Sequence, residues 1–171
     1  MIDRLNLLQR DAAEAALLAC CGSRAWARQM AAARPFAHEA ALFEAADRIW
    51  WNLAPADWRE AFGAHPRIGE QASAGLTTRP PAAAERWPAE EQAGAAAADP
   101  STRAALENAN HQYEQRFGHI FIVCATGKTA SEMLALLTDR LGNDPDGELR
   151  IAADEQRKIT RLRLEKLLRR D

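Results

Sequence analysis

The run His-Ile-Phe-Ile-Val-Cys-Ala, residues 119–125, decides the fold class because it is the only strand-like segment in the sequence. It is short and rich in β-branched side chains, and no other segment offers it a partner strand. Gly118 ends a helical pattern just before it, and Thr129 with Glu132 forms a capping box that opens another helix after it. The sequence therefore predicts an all-α fold with one short extended segment near 119–125.

Helix caps and stops predict roughly eight helices around this segment. Asn6 and Gln9 form a capping-box pattern before an apolar run that ends at Gly22. A buried face is predicted within 38–53 from apolar residues at helical spacing: Leu42, Ala45, Ala46, Ile49 and Leu53. Other helices are predicted over 23–33, 55–63, 88–98, 100–117, 129–141 and from residue 148 onward, with a loop over 63–81. Residues 1–171 are expected to form a single compact domain.

The stretch Ala-Thr-Gly-Lys-Thr, residues 125–129, resembles the end of a phosphate-binding loop. The full pattern requires a glycine five positions before Gly127, where this chain has Ile122. Without that glycine the backbone cannot curl around a phosphate. We therefore interpret the stretch as a helix start capped by Thr129.

Composition and charge exclude several function classes. The 171 residues carry a formal charge of -2, with 47% hydrophobic and 27% charged residues, which does not favour nucleic-acid binding. The sequence shows no signal peptide and no apolar stretch long enough to cross a membrane. The cysteine usage fits a reducing, cytoplasmic setting. The three cysteines lack the spacing of a disulfide framework, and the four histidines lack the spacing of a helical zinc site. No metal site is expected.

His65 stands out because its backbone is restricted on both sides. Gly63 ends a helix before it, and Pro66 biases it toward extended geometry. An imidazole fixed in this way suits proton transfer near neutral pH, although a histidine that caps a helix end is the alternative. Arg67 and Glu70 are interpreted as structural, with an ion pair between them as one option.

Seven segments, taken in order, resemble one family. They are His-Pro-Arg-Ile-Gly-Glu (65–70), Glu-Gln (91–92), Asn-x-x-Tyr-x-x-x-Phe-Gly (110–118), Phe-Ile-Val (121–123), Gly-Lys (127–128), Arg-Leu-Gly-Asn-Asp (140–144) and Lys-Ile-Thr-Arg-Leu-Arg-Leu (158–164). Leu-Asn at 5–6 and Arg-Pro-Phe at 34–36 are also similar to it. The family is that of 2-oxo-4-hydroxy-4-carboxy-5-ureidoimidazoline (OHCU) decarboxylase, which acts in urate breakdown.

The resemblance implies an all-helical, cofactor-free enzyme, commonly a homodimer, that removes carbon dioxide from OHCU and yields (S)-allantoin. On the family pattern, His65 and Glu91 are catalytic. The substrate-binding residues implied by the resemblance are Pro66, Gln92, Phe121, Ile122, Val123 and Arg163, with 121–123 offering backbone groups to the substrate ring. The family usually has a serine where this chain has Pro88, so that contact is not carried over.

Two alternatives stay open beside this interpretation. One is a related cofactor-free lyase that acts on another ureido or imidazoline compound, which the change at Pro88 leaves possible. The other is a helical binding or scaffold protein that kept the fold and lost its activity. The presence of His65, Glu91 and Arg163 argues against the scaffold.

Overall fold

Helices form the regular structure of residues 2–68 and 98–169, the parts of the chain that the computed structural model describes. In chain order they are α1 (Ile2–Leu7), α2 (Arg10–Cys21), α3 (Arg24–Ala32), α4 (Glu39–Trp51), α5 (Pro55–Gly63), α6 (Pro100–Phe117), α7 (Ala130–Arg140) and α8 (Pro145–Arg169). No strand occurs in the described residues, so the predicted all-α class is confirmed. Residues 119–125 connect α6 to α7 without helix or strand. The helix predicted over 88–98 lies outside the described residues except for Ala98, which is not helical.

Internal contacts divide the chain into two compact units. The first comprises Met1–Ala61 and Gln156–Asp171, and the second comprises Phe62–Glu155. The boundaries fall near the end of α5 and within α8. The single domain expected from the sequence stays a prediction.

The first unit is built around the aromatic side chains of α3, α4 and α5. Trp26 and Trp50 are buried, and the indole N–H of Trp26 donates to the carbonyl of Ala46 at 3.1 Å. The indole N–H of Trp58 donates to the carbonyl of Trp50 at 2.9 Å, which joins α5 to α4. The apolar face predicted within 38–53 is confirmed, since its five residues are all buried, although α4 ends at Trp51, before Leu53.

Most predicted helix ends are confirmed by their caps. Gly22 has φ of 85° after α2, and the Ser23 hydroxyl accepts a hydrogen bond from the Trp26 amide at 3.3 Å. Thr129 and Glu132 form the predicted capping box. Helix α8 begins at Pro145 instead of residue 148, because Asp144 accepts from the amides of Gly147 and Glu148 at its start.

The capping box predicted for Asn6 and Gln9 is wrong. Helix α1 ends at Leu7, and Gln9 precedes α2 without a side-chain capping bond. The Asn6 amide instead donates to the carbonyl of Phe36 and accepts from its N–H, both at 2.9 Å. Arg34 donates to the carbonyls of Leu5 and Leu8 at the end of α1. Hydrogen bonds therefore join the two segments that resemble the family, 5–6 and 34–36.

The second unit packs α6 and α7 against the connecting segment. Its core contains Tyr113 and Phe117 of α6, Met133 and Leu137 of α7, and Phe121, Val123 and Ala125 of the segment. The β-branched character of the segment is thus used for packing between helices. None of the described helices is apolar over a length that would cross a bilayer.

Candidate active site

The backbone after α5 holds His65 in a fixed position. Helix α5 ends at Gly63, and the amide of His65 donates to the carbonyl of Phe62 at 3.1 Å. Phe62 itself is fully buried. The imidazole is half-buried, and its Nε2 atom is shielded from solvent. The predicted helix end at Gly63, just before His65, is therefore confirmed. The role of the imidazole stays a prediction.

Two residues of α6 hold the chain on the other side of His65. Arg67 donates from Nε and Nη2 to the two carboxylate oxygens of Glu114, at 2.5 and 2.9 Å. The buried amide of Asn110 donates to the carbonyl of Ile68 at 3.0 Å. Arg67 thus pairs with Glu114, while the option of an Arg67–Glu70 pair stays a prediction because Glu70 lies outside the described residues.

The Arg67 guanidinium also changes the acidity of its partner. Its hydrogen bond to the Glu114 carboxylate is the main reason that the pKa of Glu114 lies below the ordinary value of 4.5. Burial acts in the opposite direction and is the smaller effect. Glu114 is therefore held as a carboxylate at neutral pH, the state that accepts both donors of the arginine fork.

The segment that contains Phe121, Ile122 and Val123 is fixed by Arg140. All three side chains are buried. Arg140 donates to the carbonyl of Ile122 at 2.8 Å, and its guanidinium lies 4.6 Å from the centre of the Phe121 ring. Within the described residues, no other hydrogen bond to the backbone of 121–123 is formed. Several N–H and C=O groups of this segment are therefore available for the role that the resemblance implies.

Arg140 is part of a buried network. It donates to the Glu148 carboxylate from Nε at 2.8 Å and from Nη2 at 2.5 Å. Tyr113 donates its hydroxyl to the same oxygen of Glu148, and Asn143 donates to the other oxygen at 2.7 Å. Burial, and then the hydrogen bond to Glu148, raises the pKa of Tyr113 far above its ordinary value, so its hydroxyl stays a donor.

His119 joins the end of α5 to α6 through aromatic contacts. Its ring centre lies 5.2 Å from that of Phe62 and 5.6 Å from that of Tyr113. The imidazole is buried, and its Nδ1 lies 3.0 Å from the carbonyl of Ile120. This packing supports both the start of the His65 loop and the segment that follows His119.

Arg163 belongs to the first unit. It lies on α8 and is only 5% exposed, which is unusual for an arginine on a helix so rich in basic residues. Nearby, burial raises the pKa of the Cys21 thiol to about 12, and the positive charge of Arg163 is one of the smaller opposing effects. The substrate-binding role of Arg163 stays a prediction.

The structure brings some of the predicted site residues together and leaves others untested. His65, Pro66 and residues 121–123 belong to the second unit, in which the His65 loop and the 119–125 segment both contact α6. Arg163 belongs to the first unit. Glu91 and Gln92, together with Pro88, lie outside the described residues. The meeting of His65, Glu91 and Arg163 around one substrate stays a prediction.

Four residues that support the site were not predicted from the sequence as such: Asn110, Glu114, Arg140 and Glu148. The segment 110–118, which resembles the family, contained part of the information needed to predict them. The four residues Asn110, Tyr113, Glu114 and Phe117 are spaced at i, i+3, i+4 and i+7, so they share one face of α6.

In the described residues, no group of three histidine, cysteine, aspartate or glutamate side chains is placed to hold a metal ion.

Comparison with known proteins gives the family. The profile of the OHCU decarboxylase family matches residues 6–165. The uric acid degradation bifunctional protein TTL of Arabidopsis thaliana is 42% identical over 149 residues, which cover 86% of this chain and 45% of that protein. The chain thus spans less than half the length of that relative. A 2-oxo-4-hydroxy-4-carboxy-5-ureidoimidazoline decarboxylase of Amia calva is 32% identical over 136 residues, 79% of this chain and 75% of that protein.

Solved structures agree with this assignment. A crystal structure of OHCU decarboxylase in the presence of (S)-allantoin has a TM-score of 0.75 and 39% identity, and covers 90% of this chain and 96% of its own. A structure of (S)-allantoin synthase covers 97% of this chain and 53% of its own, with a TM-score of 0.70 at 17% identity, and shows the fold alone. The chain therefore belongs to the OHCU decarboxylase family, a family of carboxy-lyases of urate degradation, as its motifs predicted.

Proposed function

We propose that this protein decarboxylates OHCU to (S)-allantoin and carbon dioxide in urate breakdown, without a cofactor. The observation that carries the proposal is the family match over residues 6–165, which includes every residue of the predicted site. The hydrogen bonds of the backbone before His65 and of Arg67 after it also support the proposal. The family motif has a catalytic histidine at this position.

The substrate itself supplies the electron sink. OHCU carries a hydroxyl and a carboxylate on one ring carbon, and the neighbouring carbon is doubly bonded to nitrogen. When the bond to the carboxylate breaks, its electron pair moves toward that C=N group, and carbon dioxide leaves. The nitrogen of that group takes up a proton, and the hydroxyl loses its proton as its oxygen becomes a carbonyl. The former imine carbon gains a proton on one face, which gives (S)-allantoin. The protein has to orient the carboxylate, stabilise the developing charge and direct the proton.

His65 is suited to the proton transfers. Its backbone is held on one side by the end of α5 and on the other by two tethers to α6, the Arg67–Glu114 pair and the Asn110–Ile68 hydrogen bond. The imidazole hydrogen-bonds the substrate hydroxyl and moves its proton. A general acid–base group of this kind typically contributes ~10²- to 10⁴-fold in rate. The fixed backbone keeps the imidazole in place while the ring changes its charge distribution.

The other predicted residues bind and orient the substrate. Glu91 orients the imidazole or binds the ureido N–H groups, and Arg163 presents its planar fork to substrate oxygens. The backbone of 121–123, together with Pro66 and Gln92, completes the pocket. Since Pro88 replaces the family serine, another group takes over that serine's contact.

The finer features of the proposal concern location and assembly. We place the enzyme in the cytoplasm as a homodimer, with residues 1–171 forming one domain. The family's pattern supports the homodimer, and three free cysteines without a disulfide are consistent with a reducing compartment. Nucleic acids and membranes are not expected as partners.

A coupled assay tests the activity. Urate oxidase and hydroxyisourate hydrolase generate OHCU from urate, and circular dichroism then follows the appearance of (S)-allantoin. We expect wild-type protein to accelerate this step, also after chelation of metal ions, and the variant His65→Asn to lose ~10²- to 10⁴-fold in kcat with its helical spectrum unchanged.

A matched control separates the role of His65 from a general effect of losing a histidine. His111 lies exposed on α6, and His111→Asn should retain wild-type turnover. Near-normal turnover in His65→Asn would remove that residue from the mechanism. If wild-type protein gave no acceleration, the inactive scaffold would be the better interpretation.

A further inference from the structure

We infer that Glu114 and Asn110 are positioning residues for the reaction: they set the location of the His65 imidazole through the backbone that follows it. This inference rests on the proposed function, because it concerns a group that acts in the proposed proton transfer. Neither residue is taken to touch the substrate.

The first step of the argument is the short path from His65 to its anchors. Only Pro66 separates His65 from Arg67, and the proline ring fixes one of the two backbone dihedrals of that residue. Arg67 is held by two parallel hydrogen bonds to Glu114, and the carbonyl of Ile68 by one from Asn110. Because Pro66 is stiff, the three hydrogen bonds at Arg67 and Ile68 also restrict the position of the neighbouring His65 backbone.

The second step is that the chain is fixed before His65 as well. The His65 amide donates to the carbonyl of Phe62, whose buried ring packs on His119. The His65 backbone therefore lies between the Phe62 hydrogen bond on one side and the hydrogen bonds of Glu114 and Asn110 on the other. Loss of the hydrogen bonds of Glu114 and Asn110 therefore weakens the support on the α6 side of His65.

The third step concerns helix α6, to which both tethers are attached. Helix α6 spans 18 residues, and Tyr113, which is fully buried, lies between Asn110 and Glu114 in the sequence. Its hydroxyl donates to Glu148 within the buried network around Arg140. The tethers thus lead from the His65 loop to the core of the second unit.

The fourth step distinguishes positioning from a purely structural role. The Arg67 and Glu114 side chains remain 41% and 24% exposed, so water replaces much of the ion pair if it is broken. The loop should therefore survive the loss of the pair but hold His65 less accurately. Catalytic groups need accuracy, since a displacement of ~1 Å costs roughly 10²-fold in rate.

The experiment compares two identical changes on one helix. Glu114→Gln removes the charge that both Arg67 donors need, whereas Glu107→Gln makes the same change at an exposed position of α6. We expect kcat for OHCU to fall about 10-fold in Glu114→Gln with KM within about 2-fold, because His65 acts mainly on the transition state. Glu107→Gln should match wild type, and Glu114→Asp should retain more turnover than Glu114→Gln.

The outcomes separate the inference from the proposed function. An inactive wild type overturns both. An active wild type with unchanged kcat in Glu114→Gln overturns the inference alone, as does an equal fall in Glu107→Gln or a rise in KM without a fall in kcat. If Glu114→Gln does not fold, Arg67→Lys, which keeps the charge and removes the fork, takes its place with the same expected result.

Discussion

Two segments of the second unit lack regular structure and contact α6, yet they are held in different ways. Residues 64–68 are tied by a partly exposed ion pair and one buried amide. Residues 119–125 are tied by Arg140, whose partner Glu148 is completely buried. The Arg140 and Glu148 side chains are 8% and 0% exposed, against 41% and 24% for Arg67 and Glu114.

The difference in solvent access decides what each tether does. A buried charge that loses its partner has no water to replace it, so the whole arrangement fails when one member is removed. A partly exposed charge is solvated again, and the loss is modest. The comparison therefore assigns the 119–125 tether mainly to the stability of the fold and the 64–68 tether mainly to the accuracy of the site.

The largest effect is expected from breaking the buried network. Glu148→Gln removes the charge opposite Arg140 and weakens the bonds from Tyr113 and Asn143. We expect a loss of roughly 3–5 kcal/mol in the free energy of unfolding, measured by urea denaturation with tryptophan fluorescence. Asp146→Asn, on the exposed first turn of α8, should cost less than ~1 kcal/mol. Equal losses in the two variants would show that the network contributes nothing specific.

An intermediate effect is expected at the buried amide that joins α6 to the His65 loop. Asn110→Ala leaves the carbonyl of Ile68 without this donor, which should cost about 1–3 kcal/mol in unfolding free energy. Asn108→Ala makes the same change at an exposed position of the same helix and should be nearly neutral. If the buried and exposed variants unfold at the same urea concentration, the amide is not an anchor.

Local patterns were sufficient to predict much of this molecule. The apolar face of α4, the glycine stops after α2 and α6, and the Thr129 capping box follow from contacts within a few residues, which a sequence displays directly. His65 could be selected because the residues beside it restrict its backbone. Family resemblance, not spacing, selected Glu91 and Arg163, and their roles stay predictions.

The capping box that failed at Asn6 involves a partner far away in the sequence. Asn6 has the pattern of a cap, but its amide binds the backbone of Phe36, 30 positions away. The pairing of Arg67 with Glu114, across 47 positions, likewise has no local signal in the sequence. A charged or amide side chain can satisfy several neighbours equally well, and only the packed structure selects one. The start of α8 was predicted too late in the chain, because Gly147 is typical of a turn. In the structure the Asp144 side chain caps the helix by accepting from the Gly147 amide.

The smallest effect is expected from the partly exposed ion pair and tests its electrostatic origin. Arg67 lowers the pKa of Glu114 below 4.5, so the unfolded chain binds this proton more readily than the folded protein. The stabilisation is therefore complete above pH 4.5 and disappears as the pH falls through the lower pKa of the folded state. We expect wild type to exceed Glu114→Gln by less than ~1 kcal/mol at pH 7, and this difference to shrink toward zero in urea titrations carried out at progressively lower pH. Since Gln does not titrate, a difference that grows on acidification would contradict the assigned ion pair. A small stability difference beside a large fall in kcat would separate the two tethers by function.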